Sequence, residues 1–75
     1  MPEIAIATAG EGIAIANLAK QAGVVDSTSA ALRMIAQRGL KVDGRVVEDK
    51  ELRVAAGTTV VVQAGKRRFA RVSVA

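Results

Sequence analysis

At Leu40 the spacing of apolar residues switches from a helical to an alternating period, and the chain divides there. Ile15, Leu18, Ala19 and Ala22 stand at the i, i+3, i+4 and i+7 positions of an amphipathic helix, which Gly23 ends as a left-handed cap residue. Asp26, Ser27, Thr28 and Ser29 are all N-capping types, and Ala31, Met34 and Ile35 follow them at helical spacing. A second helix is predicted over about 27–37, capped by Ser27 and closed by Arg38 with Gly39 as the C′ glycine. Arg33 and Gln37 share its other face. Both helices are too short to persist alone, so each needs the other or a sheet.

From Leu40 onward the period is two. Leu40 and Val42 alternate with Lys41, Asp43-Gly44 intervenes, and Arg45-Val46-Val47 follows. Asp-Gly between such runs is a strong hairpin signal, because a type I′ turn requires positive φ at both central residues. A second hairpin is predicted around Gly65-Lys66, between Thr58-Thr59-Val60-Val61-Val62-Gln63-Ala64 and Phe69-Ala70-Arg71-Val72-Ser73-Val74. In its last strand Ala70, Val72 and Val74 share one face, and Phe69, Arg71 and Ser73 the other. Upstream, residues 3–8 read as a short strand or an extended lead-in, and Gly10-Glu11-Gly12 separates them from the first helix. The fold class is α+β: two short packed helices followed by β-hairpins forming a small sheet. The chain is read as one domain, with a lead-in over 1–12, a central motif over 13–47 and a C-terminal hairpin over 48–75.

The core of such a domain must be aliphatic, since the chain has 15 Ala, 11 Val, 5 Ile and 4 Leu against one Phe and no Trp or Tyr. A sole ring is worth most when packed, so Phe69 is expected in the core or the hairpin packing, and a multi-ring platform for stacking bases is excluded. The absence of His and Cys excludes thiolate and imidazole metal sites, Cys or His nucleophiles, a Ser-His-Asp triad and disulfides. Glu48-Asp49-Lys50-Glu51 lacks the spacing and glycine of a calcium loop and reads as a solvated turn. Gly65-Lys66 is no phosphate loop either, because Gly57 lies too far upstream and no Ser or Thr follows Lys66. No apolar run approaches the roughly 18–20 residues of a membrane span, and residues 1–9 lack the basic start and apolar length of a signal peptide. A cytoplasmic location is expected.

Charge is unevenly distributed. Residues 1–19 carry Glu3 and Glu11 and no cation, whereas residues 54–75 carry Lys66, Arg67, Arg68 and Arg71 unopposed, within a net charge of +4. A field of that sign suits a nucleic-acid backbone or an anionic membrane surface.

The stretch IANLAKQAGVVDSTSAALRMIAQRGLKVDGRVV, residues 15–47, resembles the S-four RNA-binding domain, also called the alpha-L motif. The likeness rests on Ala22-Gly23-Val24-Val25, Ser27-Thr28-Ser29, Ala31, Arg33, Met34-Ile35, Gly39, Val42 and Asp43-Gly44. Leu32 stands where relatives often have a second Arg, and Ala30 where a Glu would complete a capping box with Ser27. GEGIAIANLAKQAG at 10–23 and VVVQAGKRRFARV at 60–72 are similar to the C-terminal domain of bacterial tyrosyl-tRNA synthetases.

The resemblance implies RNA binding, most specifically docking of tyrosine tRNA by phosphate and shape contacts near its long variable arm. It implies a non-catalytic domain with no cofactor of its own, belonging to a longer tyrosine–tRNA ligase. ATP and magnesium would serve that parent enzyme, and the parent would be homodimeric through its catalytic domain. The partner is RNA, and no membrane is expected. The candidate RNA contacts are Ser27, Thr28 and Ser29 at the start of the second helix, and Arg33, Arg38, Lys41 and Arg45 continuing through its end into the first hairpin. Lys66, Arg67, Arg68 and Arg71 complete the set at the second hairpin, with the first three clustered at its tip. An S-four module of a ribosome-associated factor or an rRNA-modifying enzyme is the alternative. A ubiquitin-like interaction domain, also small and sheet-rich, would lack the Ser-x-Ser helix and gives no reason for the KRRFAR end.

Overall fold

In the computed structural model, residues 2–8 and 12–75 are described. Gly10 and Glu11 of the expected break lie outside them. The order is β1 (Glu3–Ile6), β2 (Ile13–Ala14), α1 (Ile15–Gln21), α2 (Thr28–Ala36), β3 (Leu40–Val42), β4 (Arg45–Val46), β5 (Arg53–Val54), β6 (Thr58–Ala64) and β7 (Arg68–Val74). One sheet of five strands runs β1-β7-β6-β3-β4, and β2 pairs with β5 in a separate two-stranded sheet. The predicted hairpins are present, and antiparallel pairing of β3 with β6 joins them into the larger sheet. The lead-in is the short strand β1, parallel to β7 with Glu3 opposite Arg71.

The helices follow from their caps. The Ser27 hydroxyl accepts a bond from the Ala30 amide at 3.0 Å, satisfying one of the donors that a helix start leaves unpaired. The start of α1 has no such side chain: the Ile15 amide instead donates to the Leu52 carbonyl at 2.8 Å, so the small β2–β5 sheet sets where this helix begins. Gly12 enters that sheet with φ of 80°, and any Cβ there would collide with the Val54 carbonyl oxygen. At the end of α1, Gly23 has φ of 78°, its amide bonds to the Lys20 carbonyl and the Val24 amide to that of Ala19. This is the paired closure expected of a glycine cap.

The end of α2 corrects the expectation for Gly39. The left-handed residue is Arg38, with φ of 58°; its amide donates to the Ile35 carbonyl and the Gly39 amide to that of Met34. The cap motif is the same, shifted by one residue. Gly39 itself is not left-handed, and a Cβ there would come within 2.7 Å of the Met34 methyl carbon, the end of a flexible side chain that can shift aside. The Asp43-Gly44 turn has φ of 51° and 83°, as a type I′ turn requires. Asp43 also ties this hairpin to β6: its amide donates to the Val61 carbonyl and its carboxylate accepts from the Val61 amide at 2.9 Å.

Helices and sheet share one aliphatic core. Ile15 and Leu18 of α1, Leu40 of β3, Val62 of β6 and Val72 of β7 are its largest fully buried side chains. Ala31 and Ile35 of α2 join it from the helical layer, and Val60, Ala64, Ala70 and Val74 from the sheet. Among the described residues no polar or charged side chain is buried. Phe69 departs from expectation. It lies outside the core, 39% exposed, because strand alternation turns Ala70, Val72 and Val74 inward and leaves the ring on the opposite face. No helix among the described residues is long and apolar enough to cross a membrane.

Candidate nucleic-acid interface

A cleft of about 520 Å³ opens between α2 and the turn that joins β6 to β7. On its helical wall stand Arg33 and Met34 of α2 and Gln37, the cap residue four beyond Arg33. Opposite them are Lys66, Arg67 and Arg68. Val24, Val25, Ala30 and Ala64 make its apolar floor. Two stretches of chain more than thirty residues apart thus supply one cationic site.

Local structure explains each cation's position. The turn takes Gly65 with φ of 66°, and its amide donates to the Gly39 carbonyl at 2.8 Å, which pins the hairpin beside the end of α2. Lys66 and Arg67 occupy the turn itself. Arg68, expected with them at the tip, is already the first residue of β7, paired with Ala64. It shares the inward parity of Ala70 and Val72, so its side chain crosses to the helices, where Nη1 donates to the Val24 carbonyl at 3.4 Å.

The cleft is strongly positive. Among the described residues, Asp26 is the only acid lining it, against Arg33, Lys66, Arg67 and Arg68. Asp26 and Ala30 flank the Ser27 cap, so the positive end of the α2 dipole borders the same opening. The Ser27 hydroxyl is engaged in that cap, Thr28 is half-buried and Ser29 is exposed on the first turn. Open cationic clefts of this kind fit the phosphate backbone of a nucleic acid, which asks for cations along a path and no buried chemistry.

The remaining candidates do not form the continuous line expected from Arg33 through Arg38 to Lys41. Arg38 is five residues beyond Arg33, on a different side of the helical layer, where it lines a recess with Leu32 and the acidic 48–51 turn. Its guanidinium lies 3.9 Å from the Glu48 carboxylate, with both side chains well exposed. Lys41 pairs with Gln63 and, through it, with Phe69, on the sheet face away from the helices. Arg71 is on that face too, where it bonds Glu3 at 3.1 Å. Arg45 lies in the edge strand β4 and lines a third recess with Asp43, Glu48 and Asp49. Leu32 is 41% exposed but belongs to the acidic recess and not to the cationic cleft. Sequence reasoning did not identify Asp26 and the Val24 carbonyl as parts of the site. The parity of Arg68 in β7 is the signal that could have found the Val24 carbonyl.

The family pattern of the S4 domain matches residues 15–60. The chain is 55% identical to the tyrosine–tRNA ligase of Colwellia psychrerythraea over 74 residues, 99% of this chain and 18% of that relative. It is 53% identical to the tyrosine–tRNA ligase of Shewanella oneidensis over 73 residues, 97% of this chain and 18% of the relative. With the tyrosine–tRNA ligase of Burkholderia pseudomallei the identity is 59% over 69 residues, 92% of this chain and 16% of the relative. The chain thus spans less than a fifth of the length of the relatives it matches. The matched segment runs from the first residue of α1 into β6 and takes in both the α2 wall and the Asp43-Gly44 hairpin, and on this ground the chain belongs to the S4 domain family.

Proposed function

We propose that the chain is an RNA-binding domain that docks tyrosine tRNA for a tyrosine–tRNA ligase. The observation that carries this reading is the convergence of Arg33 with Lys66, Arg67 and Arg68 across one open cleft. Among the described residues, four cations facing one Asp attract a polyanion, and guanidinium groups from two walls grip phosphates without reading bases. Such a site reads the shape of an RNA helix, since A-form RNA presents phosphates and 2′-hydroxyls more accessibly than base edges. High identity to tyrosine–tRNA ligases along nearly the whole chain supports tyrosine tRNA as the partner. The long variable arm of that tRNA is the duplex the cleft would meet.

On this reading the domain contributes binding and orientation. Adenylate formation, with ATP and magnesium, belongs to a catalytic domain of the parent, which is homodimeric through that domain and works in the cytoplasm. Competition measured by fluorescence anisotropy tests the partner. Labelled tyrosine tRNA is displaced by unlabelled tyrosine tRNA, or by a tRNA with a short variable arm. The expected result is weaker displacement by the short-armed tRNA, with direct binding that falls steeply with salt. Equal displacement by both contradicts the tRNA assignment, and absence of binding at low salt contradicts RNA binding itself.

A further inference from the structure

The chain's single aromatic ring is displayed on the open face of the sheet. Phe69 shares that face with Arg71 and Ser73, while the helices cover the other. The strand register sets Phe69, Gln63 and Lys41 in one row across β7, β6 and β3. Gln63 donates from Nε2 to the Gly65 carbonyl at 2.8 Å, which draws its end toward the turn. Arg67 stands immediately before β7, and Arg71 two residues beyond Phe69, the latter already paired with Glu3. A flat apolar ring bordered by cations is the chemistry that holds an unpaired base: the ring takes the base, and the cations take the phosphates on either side.

We propose that Phe69 is a stacking site for one unpaired nucleobase, with its flanking phosphates on Lys41 and Arg67. This rests on the RNA reading above and adds a second contact surface on the far side of the β6–β7 hairpin. The two surfaces are continuous, because Lys66 and Arg67 occupy the turn between the cationic cleft and the Phe69 face. One ring holds one base, so the ligand is a duplex next to a single unpaired nucleotide and not an extended single strand. The cleft holds the duplex backbone, and the ring holds the base that leaves the stack.

Because Phe69 is the chain's one phenylalanine, a sample with ring-labelled phenylalanine shows the signals of Phe69 alone. The probes are a short blunt RNA duplex and the same duplex with one bulged adenosine. The bulged duplex is expected to move the Phe69 ring protons upfield through the ring current of the stacked base, and the blunt duplex to leave them in place. Phe69→Ala should weaken binding of the bulged duplex by roughly 5- to 150-fold, the range that loss of base–aromatic stacking spans. Phe69→Tyr, which keeps the π-face, should retain it. Neither variant should alter binding of the blunt duplex, and circular dichroism should show both folded. Unmoved ring signals in a bulged complex, equal movement with both duplexes, or parent-like binding by Phe69→Ala each overturn the stacking site while leaving RNA binding intact. Binding of neither duplex by the parent overturns both.

Discussion

Arg68 Nη1 donates a hydrogen bond to the Val24 carbonyl oxygen at 3.4 Å, joining the first residue of β7 to the segment between α1 and α2. The bond spans 44 positions of sequence and holds the cationic turn against the helical layer. Arg68 therefore has a structural share that Lys66 and Arg67, in the turn, do not have. Arg68→Ala should lower stability by about 0.5–1 kcal/mol, the worth of one long hydrogen bond, and weaken RNA binding as well. Arg67→Ala should weaken RNA binding while leaving stability within about 0.5 kcal/mol of the parent. Urea denaturation and anisotropy on the same samples separate the two effects.

Two glycines with similar φ should respond differently to alanine. At Gly44, φ is 83° and nothing lies within 4 Å of an added Cβ, so Gly44→Ala costs about 1 kcal/mol for the left-handed conformation alone. At Gly12, φ is 80° and the added carbon meets the Val54 carbonyl, so Gly12→Ala should cost more than about 2 kcal/mol and disturb the β2–β5 pair. Denaturant midpoints of the two variants check the order, and equal midpoints contradict it.

Stability and RNA binding should move in opposite directions at Ala30. The residue is the third of α2, three beyond the Ser27 cap, and it lines the cationic cleft. Ala30→Glu completes a capping box and places an acid near the positive end of the helix, which should raise stability by a few tenths of a kcal/mol. The same carboxylate enters the cleft and should weaken RNA binding several-fold. Ser27→Ala removes the existing cap and should cost about 1 kcal/mol. Thermal melts and salt-controlled anisotropy of both variants are the measurements.

The parts of the fold that rest on neighbours in sequence were legible. The Ser27 cap, the Gly23 closure and the Asp43-Gly44 turn each depend on residues a few positions apart, and each is present. The parallel pairing of β1 with β7 was not, because Glu3 and Arg71 are 68 residues apart and four residues of alternation do not name a partner. Nor was the small β2–β5 sheet, whose strands have two residues each. Phe69 shows two principles in conflict: ring size favoured burial, strand parity favoured exposure, and parity prevailed because the inward side of β7 is filled by Ala70, Val72 and Val74. In the site, Arg33 and the turn cations were legible as separate charges. Their meeting was not, since it depends on the Gly65 amide binding the Gly39 carbonyl and on Arg68 crossing to Val24. Arg38 leaves the line of Arg33 because it is the left-handed residue past the end of α2, where the chain no longer follows the helical path.

The central claim is that α2 and the β6–β7 turn bind RNA as one cleft. The most direct measurement is the salt dependence of the dissociation constant for tyrosine tRNA, taken for the parent, Arg33→Ala and the paired Lys66→Ala/Arg67→Ala. Each lost phosphate contact should reduce the slope of log K against log salt by roughly one unit, so the helix variant should lose about one and the turn variant about two. Both should keep the parent's circular dichroism. If Arg33→Ala keeps the parent's slope and affinity while the turn variant loses all binding, α2 is only the scaffold for the turn, and the shared cleft is contradicted.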